Sequence, residues 1–385
     1  MTWENRAGLV EALQSGEAGH GALWFTTNPG LEDVVADELS ERLQAASLDV
    51  GTFAVERNPL GFSGNMIALL PRLDAAIVQI ACGLRSVHDV IRPLYGFALS
   101  TASPDALDEI ATRLSARGID ALETAAVSSS FRVTTQRSGE HAFTSVDVQR
   151  RAGAALVQRY GLRVNLQEPD CEVRIDVVDQ RCLVGVQLTP EPVSRRRLRK
   201  YNPRGAVKAN VAYAMIRFAG VSSGRMLDPF CGSATIPLEA AQVHPDLDIA
   251  ASDYSARAVA GARQNVEAID LQQRIDVCCR NFIDLDQHHG EGSFDAIITN
   301  PPFGVHIGRG MDFQSFYSRF LEVAAYLLKP GGRLVFLAWK RGVIDRANRL
   351  HGHFLRRHVR VVETGGIFPR IYVMERRAET EPLTP

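Results

Sequence analysis

The second half of the chain alternates short apolar segments with amphipathic ones, and this alternation constrains the fold more than any other feature. The apolar segments are RMLDPF, DIAASD, IDVCCR, FDAIITN and RLVFLA, and the amphipathic ones include SATIPLEAAQV, SARAVAGARQNVEAID and FQSFYSRFLEVAAYLL. Continuous apolar strands separated by amphipathic helices are typical of a parallel sheet covered on both faces. The final segment, VRVVETGGIFPRIYVMER, has two strand patterns joined at Gly365 and Gly366 without a helix. We therefore predict an α/β domain whose mostly parallel sheet ends in an antiparallel hairpin.

The first half of the chain predicts α+β structure in two further units, since 385 residues are enough for two or three domains. ALWFTTNPGLEDVVADELSERLQ predicts a strand, a turn and an amphipathic helix. CEVRIDVVDQRCLVGVQLT predicts two strands around a tight bend, which we expect to lie on one short open sheet. The predicted boundaries are 1–100 and 101–190 for the two α+β units, 191–206 for a linker and 207–385 for the α/β domain.

Composition excludes several classes of protein. The chain is 45% hydrophobic with 18 prolines, which argues against extended disorder. It has no uninterrupted apolar run of about 18 residues and no basic-then-apolar start, so we expect neither a membrane span nor a secretory signal. The six cysteines include no Cys-x-x-Cys pair, which predicts reduced, mostly buried thiols and no metal site. We expect a soluble, cytoplasmic protein, and no obligatory protein partner is indicated.

The charges are segregated although the net charge is only −1. Residues 1–60 hold ten acidic and three basic residues, whereas residues 195–208 hold seven basic residues and no acid. From Arg333 to Arg377 there are eleven basic and three acidic residues. Such patches indicate a polyanionic partner, although a solvated face remains an alternative for each patch alone. The arginines of unit 101–190 that lie at positions suited to phosphates are Arg132, Arg137, Arg150, Arg151 and Arg159.

Polar residues follow four of the predicted strands, where ligands bind in open α/β sheets. LDPFCGSAT ends a strand with Asp228 and opens a helix through a turn at Gly232 and Ser233, whose backbone N–H groups can approach a polar ligand. Asp228 suits an ammonium better than a phosphate. Asp253 ends the next strand, 25 residues later, where a carboxylate can accept from ribose hydroxyls. A structural turn and a helix cap are the alternatives for these two motifs.

Two further motifs carry aromatic rings beside amides. Asn281 and Phe282 follow IDVCCR and could hold an adenine by its edge and its face. Asn300-Pro301-Pro302-Phe303-Gly304 follows FDAIIT, and its consecutive prolines remove two donors and present carbonyl acceptors. Acceptors from the Asn300 side chain and the Pro301 carbonyl could bind both hydrogens of an aromatic amine and aim its lone pair at an electrophilic carbon, while Phe303 stacks on the base. Positioning and desolvation then supply most of the catalysis.

In this order the motifs resemble those of Rossmann-fold methyltransferases that use S-adenosylmethionine, in particular the amino-methylating group with an Asn-Pro-Pro-aromatic motif. The resemblance covers about residues 205–377. It implies that Asp228 and the backbone from Cys231 to Ser233 hold the methionine end, Asp253 the ribose, and Asn281 with Phe282 the adenine. Pro229 and Tyr254 complete the implied cofactor site, and Asn300 to Phe303 hold the target amine.

Upstream, the pattern is similar to the ferredoxin-like segment and THUMP domain of RNA-modifying enzymes. The whole chain resembles THUMP-bearing tRNA guanine-N2 methyltransferases, in which the THUMP unit grips the tRNA 3′ end, and relatives that act on the acceptor stem are closest in layout. The resemblance implies tRNA as the partner. The RNA-binding residues are then expected to be Arg132, Arg137, Arg195, Arg196, Arg197, Arg199 and Lys200.

Three residues depart from the family pattern. Ala234 stands where many relatives have another glycine, which is expected to narrow the approach of the cofactor. Asn281 replaces the common acid, and His306 stands where several relatives have arginine. Ribosomal RNA, an adenine N6 acceptor, or an RNA-binding protein without activity remain alternatives. The sequence does not identify the modified nucleotide, the degree of methylation or the oligomeric state.

Overall fold

The computed structural model of the protein describes residues 2–10, 21–48, 50–190, 192–193, 200–203, 205–302 and 310–378. The chain divides into two compact units, Met1–Val193 and Ser194–Pro385. Seven residues named above lie outside the described ranges: Arg195, Arg196, Arg197, Arg199, Phe303, Gly304 and His306. Within those ranges, no helix combines the length and apolar character needed to cross a membrane.

The first unit is built on one ten-stranded sheet. Its strands are β1 (Trp3–Asn5), β2 (Ala22–Thr26), β3 (Phe53–Arg57), β4 (Asn65–Leu69), β5 (Asp89–Ala98), β6 (Ser130–Thr134), β7 (Arg137–Ser138), β8 (Arg163–Val164), β9 (Cys171–Val178) and β10 (Arg181–Gln187). Its helices are α1 (Glu32–Ala45), α2 (Ala75–Cys82), α3 (Asp105–Arg117), α4 (Asp120–Glu123) and α5 (Ser145–Tyr160), with a 3₁₀ turn at Pro59–Gly61. The strand order is β1-β3-β4-β2-β5-β10-β9-β6-β8, and β7 pairs with β9.

The two predicted α+β units share this sheet, which differs from the separate short sheet expected for residues 101–190. The junction is the antiparallel pair of β5 and β10, which runs from Arg181 opposite Ala98 to Gln187 opposite Ile91. The sequence pattern shows each strand but not its neighbours, and the long ladder between β5 and β10 joins segments about 90 residues apart. The hydrogen bonds of this ladder make the two halves continuous.

The second unit has a seven-stranded sheet in the order β13-β12-β11-β14-β15-β17-β16. Its strands are β11 (Ser223–Asp228), β12 (Asp246–Asp253), β13 (Ile275–Cys279), β14 (Phe294–Thr299), β15 (Leu328–Ala338), β16 (Phe354–Val361) and β17 (Arg370–Arg376). Strands β11 to β15 pair in parallel, and β17 pairs antiparallel with both β15 and β16. The prediction of a mostly parallel sheet with a terminal antiparallel hairpin is therefore confirmed.

Five α-helices and one 3₁₀ helix are described around this sheet: α6 (Ala209–Ala219), α7 (Thr235–Val243), α8 (Ala256–Glu267), the 3₁₀ helix Phe282–Gln287, α9 (Phe313–Leu327) and α10 (Arg341–His351). The sequence did not predict α6 or α10. Helix α9 packs an aromatic row against the sheet, where the rings of Phe316 and Phe320 contact Phe282 at centroid distances of 5.2 and 6.3 Å. This row fixes the position of the loop that follows β13.

All six cysteines are free thiols, as predicted. Only Cys182 and Cys231 are fully buried, and Cys279 is exposed, so the prediction of mostly buried thiols was wrong. The reason is that Cys278 and Cys279 end β13, an edge strand that has a neighbour on one side only.

Candidate active site

The loops that follow β11, β12, β13 and β14 meet around one cavity of about 560 Å³ in the second unit. Parallel strands place these loops at the same edge of the sheet, because their carboxyl ends all lie there. The predicted residues that line the cavity are Asp228, Pro229, Cys231, Gly232, Ser233, Asp253, Tyr254, Asn281, Phe282, Asn300, Pro301 and Pro302. The described cavity thus brings together every predicted cofactor and amine residue except Phe303.

Asp228 is a buried carboxylate at the end of β11. Its Oδ1 accepts hydrogen bonds from Thr299 Oγ1 at 2.6 Å and from the Phe230 backbone N–H at 3.2 Å. Burial nevertheless raises the pKa of Asp228 to about 7, and the nearby charge of Asp253 acts in the same direction. A buried carboxylate that ionises at such cost is well suited to a cationic ligand group, which would stabilise its charged form.

Asp253 organises the glycine turn. Its Oδ2 accepts from the Gly232 N–H at 3.0 Å, and its Oδ1 accepts from the Ser255 N–H at 2.9 Å. Gly232 has a φ of 53°, in the left-handed region that glycine adopts most easily. The thiol of Cys231 lies in the same turn, and burial raises its pKa well above the usual value, so it stays protonated at neutral pH and is not a nucleophile.

Ala234 occupies the left-handed region too, with a φ of 61°, immediately before α7. This conformation favours glycine, which accounts for the glycine of the family pattern at this position. Ala234 is fully buried and does not line the cavity, whereas Ser233 and Thr235 on either side of it do. The alanine therefore affects the backbone of the turn. It was expected to narrow the approach to the cavity, but its side chain does not line the cavity.

Phe282 is held in place by an aromatic cluster. Its ring lies 4.9 Å from that of Phe230 and 5.2 Å from that of Phe316, and all three rings line the cavity. Asn281, which is exposed, precedes it and accepts from the Ile283 N–H at 3.5 Å. The wall at this end of the cavity is apolar with an amide at its rim, which matches the face and edge of a purine.

Asn300 presents an acceptor that no other described residue satisfies. Its Nδ2 donates to the Gly205 carbonyl at 3.4 Å, while its buried Oδ1 has no hydrogen-bond partner among the described residues. A buried polar atom left without a partner costs roughly 1–3 kcal/mol, so an unsatisfied carbonyl oxygen indicates that a donor binds there. Pro301 and Pro302 line the cavity next to it and contribute no N–H that could satisfy this oxygen.

The structure adds residues that the sequence did not indicate. Tyr201 lines the cavity, and its backbone exchanges two hydrogen bonds with the Asn265 side chain, at 2.9 and 2.7 Å. Asn265 also donates to the Ser233 carbonyl at 3.0 Å. A Cβ at Gly261 would lie 2.2 Å from the Tyr201 ring, so glycine is needed for this contact. The sequence signals for this contact were Gly261 and Asn265, which are unusual residues inside the amphipathic helix α8.

The two described arginines of the first unit that were predicted to bind RNA, Arg132 and Arg137, differ from each other in how far their donors are already occupied. Arg132 pairs with Glu172 and donates to the Leu166 carbonyl at 3.2 Å, so its donors are largely occupied. In Arg137, which lies over the Phe143 ring, Nε and one terminal nitrogen are buried without a hydrogen-bond partner among the described residues. Lys200 is exposed and directly precedes Tyr201 in the described segment 200–203, called the Tyr201 segment below.

Comparison with known proteins identifies the family. The THUMP domain model matches residues 102–187, and a model described as an RMKL-like methyltransferase domain matches residues 196–369. The chain is 37% identical over 363 residues to a tRNA (guanine(6)-N2)-methyltransferase of Thermus thermophilus, covering 92% of this chain and all of the relative.

Solved structures give the same result. The crystal structure of TrmN from Thermus thermophilus matches with a TM-score of 0.74 at 35% identity, over 92% of this chain and 99% of that one. SMU.472 complexed with SAH matches with a TM-score of 0.71 at 18% identity, over 94% and 99% of the two chains, which supports the fold. These matches agree with the cavity at the carboxyl edge and with the Asn300 oxygen that has no partner in the described part of the chain, and the chain belongs to the THUMP-bearing, S-adenosylmethionine-dependent tRNA (guanine-N2) methyltransferases.

Proposed function

We propose that this protein methylates N2 of guanosine 6 in the acceptor stem of tRNA. The relative from Thermus thermophilus carries guanine 6 in its name, and this chain aligns with all of it. The observation that carries the chemistry is the buried Asn300 Oδ1, which has no partner among the described residues and borders the cavity. It is the acceptor that an exocyclic amine requires.

The residues of the cavity fit S-adenosylmethionine. Asp228 would pair with the α-ammonium, and the turn at Gly232 and Ser233 would approach the carboxylate through its backbone. Asp253 would accept from the ribose hydroxyls, although both of its oxygens already bind backbone N–H groups. Phe282 would contact the adenine face. The cofactor supplies a methyl group on a positively charged sulfur.

The amine is activated by orientation. The lone pair of a guanine N2 is delocalised into the ring, so the nitrogen is a weak nucleophile until its hydrogens are held. Asn300 Oδ1 would accept one hydrogen and the Pro301 carbonyl the other, which aims the lone pair at the methyl carbon. The bond to Gly205 fixes the amide of Asn300 in the required direction.

The target guanine is paired in an acceptor stem, so the base must leave the stack to reach Asn300. The THUMP unit, matched at residues 102–187, would hold the 3′ end of the tRNA. Arg137 is a candidate phosphate ligand of that unit, because two of its donors have no hydrogen-bond partner in the described part of the chain. Both donors are buried, so the side chain would have to move for a phosphate to reach them.

Asn300→Ala tests the proposed chemistry. We expect turnover to fall by at least about 100-fold, because the variant lacks the acceptor for the amine. Binding of S-adenosylhomocysteine, measured by calorimetry, should remain within about threefold of the parent, since Asp228, Gly232 and Phe282 are intact. A variant that methylates tRNA at the parent rate would exclude the proposed role of Asn300.

Mapping of the modified nucleotide distinguishes the remaining substrates. Bulk tRNA and ribosomal RNA are incubated with labelled cofactor, and the nucleosides are analysed by mass spectrometry. N2-methylguanosine at position 6 is the expected product, whereas N6-methyladenosine or label in ribosomal RNA would contradict the proposal. A protein that binds RNA but gives no heat with S-adenosylhomocysteine would be an inactive relative.

A further inference from the structure

Two large aromatic side chains of the second unit are exposed without an evident structural reason. Trp339 is 42% exposed and Phe368 is 58% exposed. Trp339 directly follows β15, and Phe368 lies two residues before β17 begins. Single exposed apolar residues are common on protein surfaces, but exposed aromatic rings grouped in one place indicate a binding partner.

The sheet register places both residues at the edge that carries Asn300. Thr299 pairs with Phe336 across β14 and β15, and Ala338 pairs with Arg370 across β15 and β17. Strand β17 runs antiparallel, so its start lies level with the end of β15. Two strand spacings, about 10 Å in all, separate the backbone of β14 from that of β17. Phe368 and Trp339 are thus near neighbours of the proposed amine site.

Basic residues extend from this edge along β16, the lateral edge strand of the sheet. Arg370, opposite Ala338 at the carboxyl edge, lines a cavity of about 510 Å³ together with Arg341, Arg356 and Arg357, and none of the residues lining it is acidic. Arg356 lies opposite Met374, four residues farther along β17. The neighbouring acids are shared: Asp345 pairs with both Arg341 and Arg356, and Glu375 pairs with both Arg333 and Arg357. Arg370 itself has no ion pair among the residues that the structure describes. A surplus of positive charge therefore remains along β16, and Arg370 is the member of this group opposite Ala338, at the carboxyl edge.

Protection of an edge strand explains only part of this surface. Charged residues on β16 prevent edge-to-edge association of sheets, and β16 is the edge strand of this sheet. That role accounts for Arg356 and Arg357 but gives no reason to expose an indole and a phenyl ring. Arginine beside exposed aromatic rings is the combination that binds nucleic acid, since bases stack on the rings and phosphates pair with the guanidinium.

We propose that Trp339, Phe368 and Arg370 form an RNA platform that binds the nucleotides flanking the flipped guanine. The two rings stack on bases that lose a neighbour when the guanine leaves the stem, and Arg370 binds a phosphate of the same strand. The platform rests on the proposed function in that the RNA is the tRNA substrate. It adds a surface that promotes extrusion of the target base.

The platform is tested by comparing variants that remove the aromatic ring of Phe368 or Trp339 with variants that keep a ring at the same position. Phe368→Leu and Trp339→Leu remove a ring, whereas Phe368→Tyr and Trp339→Phe keep one. We expect each leucine variant to bind tRNA at least about fivefold more weakly by fluorescence anisotropy, and the ring-retaining variants to bind within about twofold of the parent. Tyr326→Leu is the control, because Tyr326 is similarly exposed at the far end of α9, next to the start of β15.

Arg370→Ala tests the phosphate contact. The slope of log affinity against log salt should become shallower by about 0.7–0.9, the change expected for one lost phosphate contact. A slope equal to that of the parent would overturn this part of the proposal. Thermal unfolding and S-adenosylhomocysteine affinity of every variant should match the parent, which separates the platform from a folding defect.

A tRNA with a mismatch at the target base pair distinguishes extrusion from simple docking. The mismatch lowers the cost of flipping, so it should restore most of the methylation by the leucine variants but none by Asn300→Ala. Parent-like tRNA affinity of the leucine variants would overturn the platform, as would a change in their oligomeric state, which would make the surface a protein interface. If the parent methylates no tRNA, the proposed function fails, while the affinity comparison still decides the platform.

Discussion

Asp228→Asn should stabilise the free protein at neutral pH, because the buried carboxylate is unfavourable until a cation pairs with it. Burial raises the pKa of Asp228 from 3.8 to about 7, in spite of hydrogen bonds from Thr299 and Phe230. The gap between the two pKa values corresponds to roughly 4 kcal/mol. Asparagine keeps the shape and can still accept from Thr299, but it carries no charge at any pH.

The direction in which stability changes with pH follows from proton binding to Asp228. Between the two pKa values the folded chain holds a proton on Asp228 that the unfolded chain has released, so stability falls as the pH rises from about 4 to about 7. The contribution is fully present below the unfolded pKa and is lost above the folded one. At about pH 8 the variant should therefore be more stable than the parent by up to roughly 4 kcal/mol, and at about pH 4 the two should be equal.

Urea unfolding of parent and variant over this pH range measures the difference directly. Asp248→Asn is the control, because Asp248 is exposed and pairs with Arg225 on the surface. In the same preparation, S-adenosylhomocysteine should bind the Asp228 variant about 30-fold more weakly at neutral pH, the loss of roughly 2 kcal/mol expected for one charged hydrogen bond. If the free energies of unfolding of parent and variant changed with pH in the same way, Asp228 would not be the titrating group.

Two further substitutions test how the Tyr201 segment is held. Gly261→Ala should weaken S-adenosylhomocysteine binding by about tenfold or more, because a Cβ 2.2 Å from the Tyr201 ring displaces a residue that lines the cavity. Gly153→Ala, with no atom within 4 Å of its Cβ, is the matched control, and equal affinities would exclude the contact. Asn265→Ala should lower the free energy of unfolding by about 3 kcal/mol, since three hydrogen bonds are lost, and a change below about 1 kcal/mol in denaturant titration would contradict this.

The sequence predicts the strands and loops of the catalytic unit well because their signal is local. Each strand from β11 to β15 is a short apolar run, and each ends at a polar motif. Helices α6 and α10 were missed although both sequences carry an amphipathic period. Nearly every residue of α6 is buried, whereas only Ile344 and Ala347 are buried in α10. Hydrophobic periodicity was therefore an available signal for both helices.

Contacts between residues far apart in the sequence could not be predicted from local patterns. Asn265 and Tyr201 are 64 residues apart, and no local pattern relates them. Arg132 was expected to contact RNA because the sequence does not show that Glu172 lies opposite it on the neighbouring strand. A charge can be counted from sequence, but its partner depends on strand register. The motifs that the sequence places at the ends of single strands needed no knowledge of register, and the structure brings their described residues together around one cavity.

Strand β14 links the donor and acceptor halves of the cavity. Thr299 donates to Asp228, the proposed partner of the cofactor's ammonium group. The next residue, Asn300, carries the oxygen that is proposed to accept from the amine and that has no partner among the described residues. Strands β11 and β14 are adjacent and parallel, so this hydrogen bond fixes their carboxyl ends against each other. One peptide unit then separates the group that positions the donor site from the group that positions the acceptor. Catalysis by orientation depends on the distance between methyl carbon and nitrogen, so this connection would contribute by holding the two proposed sites at a fixed separation.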